Sequence, residues 1–144
     1  MKKISKLHLG VYGILLKGEK ILLIKKLRGP YKGKLDLPGG KLEHGEKILS
    51  GLKREIIEET GVIADNFKLL DNFTTKVSFR DNNEKICMYH VGLIYRAMFI
   101  NDKKIKNNIN EEDSGGGEWY LIESLSRGKV SPFVFYFIKN IYEK

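Results

Sequence analysis

Residues 39–62 read GGKLEHGEKILSGLKREIIEETGV, a stretch in which a glycine-rich loop gives way to a helix whose sides need different surroundings. Ile48, Leu49, Leu52 and Ile56 recur at helical spacing and predict a buried stripe on a helix over residues 46–60. Gly61 follows at once, where a left-handed residue caps a helix. The other demand comes from Glu55, Glu58 and Glu59, which positions i, i+3 and i+4 aim the same way. Like charges at that spacing cost about 0.2–0.5 kcal/mol per pair on an exposed helix. A hard divalent cation reverses the sign, because such ions take oxygen ligands and keep waters for exchange with phosphate oxygens. Gly51, one turn before Glu55, leaves that side without a side chain to block a metal or phosphate. A solvated acidic surface is the ordinary alternative.

The segments around this helix are extended. LHLGVYGILLKGEKILLIKKL reads as two apolar strands in a hairpin turned at Gly18. RGPYKGK is a loop punctuated by Gly29, Pro30 and Gly33, and LDLPGG is a short strand ending in a turn. FKLLDNFTTKVSF and KICMYHVGLIYRAMFI are strands around the polar turn RDNNEK. NDKKIKNNINEEDSGGG reads as a long polar loop, with residues 115–117 as a flexible glycine run. EWYLI is a further strand and SPFVFYFIKNIY a closing helix, its Phe133, Phe135, Tyr136 and Phe137 serving as core contacts. Strands before and after one central helix imply a mixed sheet covered by helices. No repeat, linker or boundary divides the 144 residues, so a single domain over 1–144 is expected.

Cys87 is the one cysteine, which excludes a disulfide within the chain and fits a reducing cytoplasm. No apolar run is long enough for a membrane span, and MKKISKLHLG has no apolar segment like that of a signal peptide. The net charge of +8 favours anionic partners such as phosphates, nucleotides or nucleic acid, or else serves solubility. The basic residues are spread along the chain, which gives dedicated nucleic-acid binding little support.

From Gly40, five residues lead to Glu46 and seven more to Arg54-Glu55; Ile56, Ile57, Glu58, Glu59, Thr60, Gly61 and Val62 complete the run. This resembles the signature of the Nudix hydrolase family at every fixed position. LDLPGG before it and GGGEWYLIESL after it also resemble the family. The resemblance implies an α/β/α sandwich with a mixed central sheet, a signature loop–helix and a C-terminal helix. It implies a MutT-like small nucleotide pyrophosphohydrolase that cleaves a pyrophosphate bond in a nucleoside diphosphate linked to another group, with Mg2+ or Mn2+. Glu58 and Glu59 would be the main metal ligands, Glu55 would join directly or through water, and the Gly40 carbonyl would add an oxygen. Glu46 and Arg54 would pair to hold loop against helix.

Relatives also draw an acid from a loop beyond the central strands, as a ligand or a base for the attacking water. Glu112 and Asp113, beside Glu111 in NEEDSGGGEW, are the candidates here, and a solvated acidic turn is the alternative. Val77 stands where ADP-ribose-cleaving members carry a proline, and Ser78-Phe79 where diadenosine-polyphosphate enzymes carry a tyrosine. The resemblance therefore points by elimination to a (d)NTP cleaved to monophosphate and pyrophosphate. A non-catalytic nucleotide sensor and an RNA 5′-end pyrophosphohydrolase are the alternatives. His8 and His90, in strands, read as structural, His44 as a solvated loop residue and Cys87 as a strand residue. Nothing in the sequence sets the oligomeric state, and a homodimer stays open.

Overall fold

The computed structural model describes residues 3–106 and 114–143. In chain order they form β1 (Lys3–Lys17), β2 (Lys20–Lys26), β3 (Leu35–Asp36), β4 (Gly39–Lys41), α1 (Ile48–Thr60), β5 (Ile63–Asp81), β6 (Glu84–Asn101), β7 (Ser114–Leu121) and α2 (Pro132–Phe137). Gly18, at φ +59°, turns the β1–β2 hairpin. Asn82 and Asn83, both at positive φ, turn β5 into β6 in the two-residue form that suits the twist of antiparallel strands. The sheet order is β3-β2-β1-β6-β5, with β4 added to β1 and β7 to β2. β1 and β6 run parallel and the other pairs are antiparallel, so the sheet is mixed.

Alternation along β1 and β2 sends apolar residues to both faces. Val11, Leu15 and Leu22 pack with Leu52 and Ile56 of α1. Tyr12, Ile14, Ile21 and Leu23 pack on the opposite face with Phe133, Val134 and Phe137 of α2. Near-continuous apolar strands are what a sheet covered on both sides requires, and the result is an α/β/α sandwich. The described residues contain no helix long and apolar enough to cross a membrane.

The structure departs from the pattern of the sequence at four places. Helix α1 starts at Ile48 rather than 46, after Lys47, whose side chain makes no cap hydrogen bond. Leu49 leaves the buried stripe and is exposed, because Leu52 and Ile56 already fill the face toward the sheet. Residues 115–117 are not a loop but part of β7, with Gly117 opposite Ile24 of β2. A Cβ at Gly117 would lie 2.6 Å from Cγ2 of Thr60, so the missing side chain lets β7 meet the end of α1. The closing helix is regular only over Pro132–Phe137, where Ser131 caps it through Val134 N–H, and then widens into a π-type turn over Ile138–Tyr142.

Phe133 is fully buried and its ring occupies the space over Gly92 of β6 that a Cβ would need. Gly92→Ala is therefore expected to cost about 1–3 kcal/mol by overpacking, read as a lower midpoint in urea unfolding. Gly128→Ala, with nothing within 4 Å of its Cβ position, is the control and leaves the midpoint close to wild type.

Candidate active site

The site begins where β1 and β2 part. They pair only at Leu16–Ile21 and Lys17–Lys20. Beyond that, β3 pairs with β2 through Asp36 and Leu35, and β4 pairs with β1 through Gly39, Gly40 and Lys41. Gly39 sits at φ +135° and a Cβ there would collide with the Val11 carbonyl, so only glycine fits. Its N–H donates to Glu59 Oε1 at 2.7 Å. Gly40 follows, and a Cβ on it would stand 3.5 Å from Glu55 Oε2. Gly39 and the signature's Gly40 thus bring bare backbone against two carboxylates of α1.

Burial dominates the electrostatics of those acids. It pushes the Glu59 carboxyl up to about 8, with the Gly39 hydrogen bond opposing and Glu55 adding to the rise. Glu55 is also raised, first by burial, against the pull of Arg54. Arg54 grips Glu46 through two bonds, Nε to Oε2 at 2.9 Å and Nη2 to Oε1 at 3.0 Å. Its Nη1 reaches Glu58 at 3.1 Å and Glu55 at 3.3 Å. Glu58 is turned toward solvent, with 58% of its side chain exposed. Gly51 serves a different purpose from the one expected: the space beside it is filled by Glu46, whose Oε1 lies 2.6 Å from the Cβ position.

Glu55, Glu59, Gly39 and Gly40 form one wall of a cleft of about 1340 Å3. Lys6, Lys26, Arg28, Lys32, Lys41 and Arg80 also line it, as does His44 of the signature loop. The remaining wall holds His8 and His90, read from the sequence as structural, and Phe79, together with Tyr12, Tyr31, Asp36 and Met88, which the sequence did not single out. The Tyr12 hydroxyl lies 2.7 Å from Nε2 of His90 and the Tyr31 hydroxyl 2.8 Å from Nδ1. Gly10 permits this, since a Cβ there would strike the Tyr12 hydroxyl as the ring folds back along β1. The available signal was the alternation His8, Gly10, Tyr12, in which a glycine interrupts one face of an otherwise apolar strand.

Oxygen donors, close backbone and desolvated, mutually repelling carboxylates suit a hard divalent cation. The three signature acids do not converge equally: Glu55 and Glu59 face the cleft while Glu58 is held by Arg54. Among the described residues no group of three or more His, Cys, Asp or Glu is gathered in metal-holding geometry. Glu111, Glu112 and Asp113 lie outside the described residues.

A helix-borne acid pair thus stands against a split mixed sheet and opens on a cation-lined cleft. The family model of the NUDIX domain matches residues 6–141, and the chain belongs to the Nudix hydrolase family. It is 46% identical over 65 residues, 45% of its length, to an ADP-ribose pyrophosphatase of Methanocaldococcus jannaschii. It is 40% identical over 55 residues, 38% of its length, to an 8-oxo-dGTP diphosphatase of Haemophilus influenzae. The matches span only 38% and 40% of those two relatives. In fold it resembles the NUDIX domain of Shewanella oneidensis NrtR, solved with ADP ribose, at a TM-score of 0.71 and 19% identity, covering 95% of this chain and 87% of that one.

Gly51→Ala separates helix propensity from site geometry. An alanine in a helix interior gains about 1 kcal/mol over glycine, but here its Cβ pushes Glu46 off Arg54. Thermal unfolding is expected to stay within a few degrees of wild type while hydrolytic activity falls at least fivefold.

Proposed function

We propose that this chain hydrolyses a pyrophosphate bond in a nucleoside diphosphate linked to another group, with Mg2+ or Mn2+. The observation that carries the reading is the pairing of Glu55 and Glu59 with the backbone of Gly39 and Gly40 in the wall of a cleft that six cationic side chains line. Glu55, Glu59 and the Gly40 carbonyl would hold the metal, and Glu58, which faces solvent against Arg54, would turn from it to join them. When bound, the ion polarises phosphate oxygens and lowers the pKa of an attacking water. The chain's own residues do the rest. Lysines and arginines of the cleft bind and orient the phosphates, as phosphoryl transfer demands positioning and charge neutralisation. Gly39 N–H fixes the Glu59 carboxylate, and the Glu46–Arg54 pair braces the loop against α1. Glu112 or Asp113 would serve as a further ligand or as the base.

The preferred substrate is a (d)NTP cleaved to monophosphate and pyrophosphate, on the absence of markers for other substrate groups. A second reading is ADP-ribose, favoured by the relative of 46% identity that carries that name. Retention of Arg54, Glu55, Glu58 and Glu59 supports catalysis over a purely sensing role. An RNA 5′ end is a weaker reading, because the basic residues are spread along the chain rather than gathered in one patch of sequence.

The test is a screen of (d)NTPs, 8-oxo-dGTP, ADP-ribose and 5′-triphosphorylated RNA, reading released phosphate or pyrophosphate. Turnover should vanish with chelator, return with Mg2+ or Mn2+, and favour a triphosphate; faster cleavage of ADP-ribose would reverse the substrate preference. Glu59→Gln is expected to lower kcat by at least two orders of magnitude with the fold retained. Wild-type kinetics in that variant would remove Glu59 from the site.

The acidic segment is tested separately. Glu112→Gln or Asp113→Asn should lower turnover at least tenfold, about 1.4 kcal/mol of barrier. If the double variant keeps normal kinetics, the base is a signature glutamate.

A further inference from the structure

Tyr12, His90 and Tyr31 hold one more hydrogen-bond proton than they can use among themselves. His90 is 3% exposed, and burial, with His8 and Lys26 nearby, pushes its pKa down to about 3, so the ring is neutral. Burial pushes both tyrosines up, so both keep their protons. A neutral imidazole offers one N–H and one lone pair. One tyrosine therefore donates to the ring, and the other accepts from it and keeps its own hydroxyl proton for a different acceptor. A protonated ring would free two such protons, so either state leaves at least one. Neither hydroxyl has a second partner among the described residues. Leaving a buried donor unpaired costs about 1–3 kcal/mol, so the acceptor has to come from the cleft that both tyrosines line.

Packing distinguishes the two. Tyr12 is folded back over Gly10 with its ring 5.0 Å from Phe133, inside the core. Tyr31 belongs to the β2–β3 loop and stacks on His90 at 5.6 Å, with the loop residues Arg28 and Lys32 also lining the cleft. The consistent arrangement has Tyr12 donating to Nε2, Nδ1–H donating to Tyr31, and the Tyr31 proton turned into the cleft.

A complementary acceptor lines the same cleft. Asp36 is 4% exposed, and its Oδ1 accepts from Leu37 N–H at 2.8 Å and from the Ser131 hydroxyl at 2.6 Å. Its Oδ2 accepts from nothing among the described residues. Register puts Met88 on the same face of the sheet as His90, with Phe79 of β5, opposite Ile86, diagonal to it, and both line the cleft. A neutral donor, an acidic acceptor and an apolar platform complement the polar edge and flat face of a heteroaromatic ring.

We propose that Tyr31 and Asp36 read the edge of the substrate's nucleobase. The Tyr31 hydroxyl donates to a ring nitrogen or carbonyl, and Asp36 Oδ2 accepts from a neighbouring N–H. His90 and Tyr12 are positioning residues that set the direction of the Tyr31 proton. This rests on the reading that the cleft takes a nucleotide, and it adds which end of the ligand lies where.

The test is calorimetric titration with AMP, GMP, CMP, UMP and ribose 5-phosphate in Mg2+ buffer, which reads binding without turnover. At least one nucleotide should bind tenfold more tightly than ribose 5-phosphate. Tyr31→Phe, which keeps the ring stacked on His90, should remove that tenfold advantage and leave ribose 5-phosphate binding unchanged. Asp36→Asn, which replaces a pure acceptor by an amide, should change which base is preferred. Equal losses for nucleotide and ribose 5-phosphate in Tyr31→Phe, or unchanged nucleotide affinity in both folded variants, would overturn the proposal. Base-selective binding without hydrolysis of any substrate would sink the proposed reaction and leave this inference standing.

Discussion

The hydrogen bond from Gly39 N–H to Glu59 is the contact on which the rest of the site depends. It joins the strand that fills the gap between β1 and β2 to the helix that lies across the sheet. A carboxylate pushed up to about 8 by burial tolerates its surroundings only if donors or cations face it. The backbone supplies the first donor, and Gly39 is obligatory because its φ of +135° and its contact with the Val11 carbonyl admit no side chain. The parting of β1 from β2 is therefore what creates the site: without it, β4 would have no edge to join and Gly39 would not reach α1.

Arg54 balances the acids from the other side. One guanidinium holds Glu46 with two bonds and touches Glu55 and Glu58 with its remaining nitrogen. Planar, fork-like donation of this kind is what distinguishes arginine from lysine at such positions. It leaves Glu55 and Glu59 facing the cleft and turns Glu58 outward, so acids that look equivalent by helical spacing occupy different environments.

Much of this was legible in the chain. The strand alternation, the Gly18 and Asn82-Asn83 turns, the helix ending at Gly61 and the two-faced sheet all follow from local pattern, because each depends on neighbours within a few residues. The parts that were not legible depend on distant pairing. The glycines of residues 115–117 look like a loop until β2 is seen to pair with them. His90 looks structural until Tyr12 and Tyr31 arrive from other elements to occupy both ring nitrogens. Leu49 fits the apolar stripe by spacing, yet Leu52 and Ile56 meet the sheet residues Val11, Leu15 and Leu22, and Leu49 stays exposed.

The parallel ladder between β1 and β6 has a consequence for how the protein comes to exist. It runs from Lys3–Lys85 to Leu15–Ala97, and the tyrosine–histidine contact within it closes over 78 residues. The β5–β6 hairpin can form early, since its turn is two residues long, but β1 has no parallel partner until β6 has left the ribosome. Pairing across such a separation pays loop-closure entropy before it gains contacts and is slow. The first strand can pair early with β2 and β4, but the edge that β6 will take, with Leu7 and Leu9 still exposed in the finished fold, stays open for most of synthesis. The lysines along it, Lys3, Lys6 and Lys17, are well placed to keep that waiting edge apart from its copies on neighbouring chains.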